Sequence, residues 1–208
     1  MPAPESISRL IEQFREHIDT YKRGSYNETQ LRREFLDPFF AALGWDVFNE
    51  RGYAGDYKDV VHEAAIKIGG TTKAPDYSFR IGGQRKFFVE AKKPSVDVKG
   101  DPHPAYQLRR YAWTAGLPVS VLSDFEELAV YDCRVKPTPR DKASTARILY
   151  MTFEEYENRW GEIEGVFSKT AILKGAFDKF ASTQTRKRGT AEPDEEFLKL
   201  LESWRSAL

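Results

Sequence analysis

Pro75-Asp76 and Glu90-Ala91-Lys92 bring two acids and a lysine into one short stretch of chain. The residues between them read as a hairpin. Tyr77-Ser78-Phe79-Arg80-Ile81 alternates in polarity, Gly82-Gly83 supplies a tight turn, and Lys86-Phe87-Phe88-Val89 leads into the glutamate. Side chains two apart on a strand share a face, so Glu90 and Lys92 project one way while Phe87, Val89 and Ala91 project the other. Ordinary hairpin pairing brings Asp76 beside them. Two carboxylates and a lysine around one point suit metal-assisted phosphodiester hydrolysis. Hard oxygen ligands hold Mg²⁺, the cation polarises a phosphate and activates a water, and the lysine steadies the hydroxide or the developing charge. The competing reading is an edge hairpin with a solvated charged face. Against it, Phe87-Phe88-Val89 is apolar on both faces, which predicts an internal strand, and unpaired charges at the end of such a run are costly.

Glu28 is a third candidate carboxylate. At about 100° per residue, Glu28, Leu31, Phe35 and Phe39 fall on one helical stripe, so Glu28 heads the apolar face while Glu34 points well away. It is equally readable as a first-turn acid favoured by the helix dipole. Gln107 and Tyr111 are four apart on an expected helix and share a face. An amide can orient water or phosphate and a phenol can donate to a phosphate oxygen, although an ordinary surface pair shows the same spacing. Arg109 and Arg110 either touch phosphate or are solvated. His17, His62 and His103 have no ligand spacing and read as surface or loop residues. Arg186-Lys187-Arg188 reads as a solvated basic patch. No phosphate-cradling GxxxxGK[ST] loop is present, so ATP use is not expected, and no methyl-donor glycine motif is evident.

The elements that must position these groups are legible. Residues 6–21 form an amphipathic helix with Ile7, Leu10, Ile11, Phe14, Ile18 and Tyr21 on one stripe. Residues 27–43 form a second, stopped by Gly44 and kinked or divided by Pro38. Residues 45–48 predict a short strand, 50–59 an exposed loop, and 61–68 a strand ended by Gly69-Gly70. After the hairpin come a proline-rich loop at 94–104, a helix at 105–115, and strands at 118–122, 128–131 and 148–151. Strands interspersed with helices indicate an α/β domain. From residue 152 the texture turns helical, at 153–161 and 169–180, followed by a polar linker at 182–195 and an amphipathic helix at 197–208. The expected division is a catalytic domain at 1–151 and a helical extension at 152–208.

Composition narrows the partners. The 208 residues are 40% hydrophobic and 13% aromatic, enough for a substantial core. Lysine plus arginine number 32, matched by 32 aspartates and glutamates, which argues against a strong autonomous grip on nucleic acid. Cys133 is the single cysteine, so neither an intrachain disulfide nor a multi-cysteine zinc site can form. No apolar run approaches a membrane span and the N-terminus lacks a signal-peptide pattern, so a soluble cytoplasmic protein is expected.

Taken in order, Pro75-Asp76, Glu90-Ala91-Lys92-Lys93-Pro94, Gln107 and Tyr111 resemble the PD-(D/E)XK nuclease superfamily, the Gln-x-x-x-Tyr helix resembling its RecB-like branch. The match is closer to the N-terminal nuclease domain of type IIG restriction–modification enzymes, related to the nuclease domain of type I restriction subunits. Asn27-Glu28-Thr29 through Phe39, then Ala42-Leu43-Gly44-Trp45-Asp46-Val47, is similar to that family's opening helix and first strand. Phe167-Ser168 through Lys174-Gly175-Ala176-Phe177-Asp178-Lys179-Phe180, and Phe197-Leu198 through Trp204-Arg205, are similar to the region C-terminal to the nuclease in those enzymes.

The resemblance implies a restriction-endonuclease-like fold, a mixed central sheet flanked by helices. It implies Mg²⁺, with Mn²⁺ as a substitute, bound by Asp76, Glu90 and Glu28 (Glu34 being the second choice), and Lys92 as the catalytic lysine. Gln107 and Tyr111 would support the site or contact phosphate. Double-stranded DNA is the implied substrate. A methyltransferase and a target-recognition domain would complete the full-length protein, and a transient dimer on DNA would cut both strands. Two readings compete with an active endonuclease: a catalytically silent DNA-contact or assembly platform of the same fold, and an unrelated α/β interaction domain in which Asp76 lies far from Glu90.

Overall fold

The computed structural model describes residues 2–187. Helix α1 (Glu5–Tyr21) buries Ile7, Leu10, Ile11, Phe14 and Tyr21 along one stripe. Helix α2 (Glu28–Leu31) begins at a reciprocal cap. The Asn27 side chain accepts from the Gln30 N–H at 2.9 Å, and the Gln30 side chain accepts from the Asn27 N–H at 3.0 Å. The chain stays helical through one π turn (Arg32–Leu36) into α3 (Asp37–Ala42). Pro38 accounts for the widened turn: it has no N–H to donate, and its ring crowds the carbonyl four residues back, that of Glu34. The helix is thus bulged there rather than broken, and Leu31, Phe35, Leu36, Phe39 and Phe40 are all buried.

Strands β1 (Val60–His62), β2 (Ile66–Ile68), β3 (Thr71–Lys73), β4 (Tyr77–Ile81), β5 (Gln84–Ala91), β6 (Val119–Ser123), β7 (Glu127–Asp132) and β8 (Arg147–Thr152) come next. Six build one sheet in the order β1-β4-β5-β6-β7-β8, while β2 and β3 pair as a separate ribbon. The β5–β6 pair is parallel and the other neighbours are antiparallel, so the sheet is mixed. Parallel neighbours need a crossover, supplied by helix α4 (Pro102–Thr114) with Asp101 as its cap. The hairpin turn between β4 and β5 needs two residues with left-handed backbone, and Gly82 and Gly83 have φ of 56° and 84°.

Parity along the strands sorts two cores. Phe87, Val89 and Ala91 of β5, Val119 and Val121 of β6, and Leu128 and Val130 of β7 face the larger core, shared with α1 to α3. Phe88, Leu122, Ala129 and Tyr131 face the smaller one, under α4 and the β2–β3 ribbon. Phe79 and Phe87 are register partners and stack at 4.5 Å between centroids, a pairing worth about 0.5–1.5 kcal/mol beyond the area buried. Strand β5, apolar on both faces, lies inside the sheet between β4 and β6 as its sequence predicts.

Helices α5 (Tyr156–Phe167), α6 (Lys169–Leu173) and α7 (Ala176–Lys187) make up the helical C-terminal part. Trp160, Ile163, Phe167, Ile172 and Phe177 pack into the larger core. Three local expectations are corrected. Residues 45–48 are not a strand: Trp45 and Val47 are buried in irregular chain, where the Trp45 indole donates to the Phe167 carbonyl at 2.8 Å. The strand expected over 61–68 is divided between β1 and β2, because Glu63 takes a left-handed turn at φ 51°. The linker expected from 182 is helical up to Lys187. Its remainder, Arg188 and the helix expected at 197–208 lie outside the described residues. Among the described residues no helix is long and apolar enough to cross a membrane.

Candidate active site

The groups singled out in the sequence meet at the C-terminal end of β5, beside the parallel β5–β6 pair of the six-stranded sheet. Open α/β sheets commonly hold their ligands at such strand ends. Glu90 has the parity of Phe88 and so faces α4. Its side chain is 3% exposed, and the Lys92 ammonium lies 2.8 Å from its Oε1. Gln107 of α4 donates to the same oxygen, and its amide nitrogen also lies 3.2 Å from the Tyr111 hydroxyl. The i,i+4 spacing on α4 therefore works as a bracket that fixes Glu90. Tyr111 is buried, which pushes its hydroxyl upward in pKa.

Asp76 stands one step before β4. Tyr77 pairs with Val89, so Asp76 comes opposite Glu90. Its Oδ2 accepts from the Ala91 N–H at 2.8 Å. The next N–H, that of Lys92, donates to the Ser123 carbonyl at 3.1 Å and continues the parallel ladder. The Glu-Ala-Lys backbone is thus clamped from both sides, and the Glu90 and Lys92 side chains are carried on hydrogen-bonded chain.

Glu28 reaches the site from the other helical layer, its Oε2 3.7 Å from the Lys92 ammonium. Glu28 occupies the first turn of α2, and its side chain turns toward Lys92. Burial pushes its pKa up, and the nearby Asp76 carboxylate adds to this against the pull of Lys92. Glu34 is exposed and accepts from the Tyr26 hydroxyl at 3.1 Å, away from the site.

The electrostatics are those of crowded acids. Burial, with Asp76 and Glu28 close by, pushes Glu90 up to about 7 although Lys92 works to lower it. Lys92 is itself raised: burial opposes its charge, but the Glu90, Glu28 and Asp76 carboxylates outweigh that. Glu90 Oε2 is buried with no hydrogen-bond partner among the described residues.

Sequence reasoning missed Arg32. One of its terminal nitrogens lies 2.7 Å from Asp76 Oδ1, and the same guanidinium packs over the Tyr77 ring at 5.6 Å. The available signal was its place four residues after Glu28 on one helix face. Arg109 and Arg110 do not join the site. Arg109 is fully buried, 2.6 Å from Asp141 and 3.2 Å from the Val135 carbonyl, so it is neither solvated nor free for phosphate, and Arg110 is exposed. His17, His62 and His103 are exposed and scattered.

The donors suit a hard divalent cation in kind. Asp76 and Glu90 offer carboxylate oxygens, one of them orphaned, and Glu28 adds a third acid. They are not gathered into a ready cage: among the described residues no group of three or more His, Cys, Asp or Glu side chains is close enough to hold a metal. The Arg32 guanidinium, set against Asp76, occupies part of that role.

Residues 56–138 match the family model described as type I restriction enzyme R protein N terminus. That span includes Asp76, Glu90, Lys92, Gln107 and Tyr111 but neither Glu28 nor Arg32. The whole chain is 40% identical, over 210 aligned positions, to the type II restriction enzyme and methyltransferase RM.Eco57I of Escherichia coli. The chain spans 21% of that relative's length. No solved structure matches the chain. The likeness to restriction enzymes drawn from the ordered motifs is borne out by both matches.

Proposed function

We propose that this chain is the endonuclease module of a type IIG restriction–modification enzyme, a PD-(D/E)XK hydrolase that cuts DNA phosphodiester bonds with Mg²⁺. The observation that carries the reading is the convergence of Glu28, Asp76, Glu90 and Lys92 at one strand end, with Gln107 bracing Glu90. Asp76 and Glu90, helped by Glu28, would hold Mg²⁺ or Mn²⁺. Once bound, the cation polarises the phosphate and makes a water more acidic. Lys92 places an ammonium among the carboxylates, where it can orient the attacking hydroxide or neutralise charge on the phosphate. Gln107 and the Ala91 N–H anchor Glu90 and Asp76 at the strand end. Nothing in this site calls for ATP.

The substrate is double-stranded DNA. The balance of 32 basic and 32 acidic residues fits a module whose grip on DNA and choice of sequence come from elsewhere. The relative's name couples restriction to methylation, which supports a methyltransferase domain as partner; a target-recognition domain and a cytoplasmic setting complete the reading. Cutting both strands with one site each would need a transient dimer on DNA. The decisive experiment is nicking of supercoiled plasmid by this chain and by Lys92→Ala, with Mg²⁺ or Mn²⁺ and with EDTA. Metal-dependent nicking lost in the variant supports the reading. Nicking that survives Lys92→Ala sinks the assignment of the site. Absence of both nicking and metal binding would favour a silent platform of the same fold.

A further inference from the structure

Resting on the reading of Asp76 as a metal ligand, we infer that Arg32 is the resident counter-cation of Asp76, and that a divalent cation binds by displacing it from Oδ1. The two oxygens of Asp76 have different keepers. Oδ2 is held by the Ala91 N–H at 2.8 Å, a backbone contact that ties the carboxylate to β5. Among the described residues Oδ1 meets only a side chain, the Arg32 guanidinium at 2.7 Å. A second cation cannot share that oxygen without placing like charges within contact distance, where repulsion is strong in partly buried surroundings. One of the two must leave, and the guanidinium sits on a flexible stem.

Charge balance favours the exchange. Three carboxylates, Glu28, Asp76 and Glu90, face two cationic side chains, Arg32 and Lys92. With all three carboxylates ionised and Arg32 in place the cluster keeps one negative charge in excess, and Glu90 Oε2 has no hydrogen-bond partner among the described residues. A divalent cation that replaces Arg32 balances the cluster. Arg32 also has somewhere to go. Its guanidinium already lies 3.5 Å from the exposed Glu63 carboxylate, so withdrawal from Asp76 can end in a second, solvated ion pair. Arg32 is on this account a positioning residue. It keeps the carboxylates from repelling one another in the metal-free protein and sets how tightly the metal binds.

The test is Mn²⁺ binding to the full chain by titration calorimetry, together with melting curves with and without Mn²⁺. Arg32→Gln keeps a polar contact to Asp76 but removes the competing charge. It should bind Mn²⁺ roughly tenfold more tightly than wild type, as expected for a full charge lifted from a partly buried ligand. Arg32→Lys should stay near wild type. Arg33→Gln, which removes a neighbouring exposed charge, should also be unchanged, and Asp76→Asn should bind weakly. Melting without metal should fall in Arg32→Gln and recover with Mn²⁺, the metal-induced rise exceeding that of wild type. If the variant does not fold alone, Mn²⁺ should restore a cooperative melt, and failure to do so overturns the inference. A merely structural arginine predicts the reverse, looser binding in Arg32→Gln. Equal or weaker binding there, with wild type binding normally, overturns the inference alone. No Mn²⁺ binding by wild type overturns the metal reading and this inference with it.

Discussion

The β1–β4 ladder carries a largely buried aspartate at each end, and the two are solved differently. Asp59, opposite Arg80, accepts from the Lys169 ammonium at 2.6 Å and from the Asp46 N–H at 3.3 Å. One acid meets one cation, and the pair latches α6 to the start of β1, while the Lys169 N–H donates to the Leu43 carbonyl at the end of α3 at 3.0 Å. Asp76, at the other end, sits in a surplus of carboxylates with an orphaned oxygen beside it and a glutamate raised to about 7. A buried charge that serves stability is matched and satisfied. An excess of acids left unmatched costs stability, and such sites are where a cation or a reaction is expected.

That contrast can be broken, most sharply at Asp76. Asp76→Asn should lower plasmid cleavage by at least ~10³-fold, about 4 kcal/mol of transition-state stabilisation, while the melting temperature hardly moves. Cleavage within tenfold of wild type would make Asp76 as structural as Asp59. Lys169→Met should do the opposite, costing about 2–3 kcal/mol in denaturant unfolding because Asp59 stays buried without its cation, with cleavage per folded molecule unchanged. A fall in activity without a fall in stability would erase the distinction. Between the acids of the second helical segment, Glu28→Gln should cost about 10–100-fold in cleavage (roughly 1.4–2.7 kcal/mol), and Glu34→Gln less than about twofold. The reverse ranking would move the third carboxylate to Glu34.

The smallest effect concerns pH. In the folded chain Glu90 keeps its proton up to about 7, whereas in the unfolded chain it releases it near the ordinary value of 4.5. Between those values the folded state binds more protons, so this group's contribution to stability falls as pH rises. Metal-free Glu90→Gln lacks that slope. The stability of wild type relative to the variant should decline by on the order of 1–2 kcal/mol from pH 4.5 to 7. Parallel stability–pH curves for the two proteins would remove the electrostatic contrast with Asp59.

Much of this was readable before any fold was known, for local reasons. The glycine pair and the alternation around it set the hairpin, and strand parity alone separates Phe87, Val89 and Ala91 from Phe88 and Glu90. The 3.6-residue period placed Gln107 with Tyr111 and turned Glu28 inward and Glu34 out. Where the reading failed, packing at long range had overridden local pattern. Trp45 and Val47 look like strand residues, but their burial is satisfied by the helices above and by the Phe167 carbonyl, not by a ladder. Arg109 looks like a surface cation, yet Asp141, far along the chain, pairs with it in the interior.

The sequence by itself determined which face of its own element each candidate residue occupies, because periodicity is a property of a single helix or strand. The tertiary structure alone decided which faces meet. It carried Glu28 from one helical layer and Gln107 from the other to the same strand end, and it set Arg32 against Asp76. Those juxtapositions depend on the register between strands and on how helices seat on the sheet. The summed burial of both cores fixes these, and no single segment encodes them.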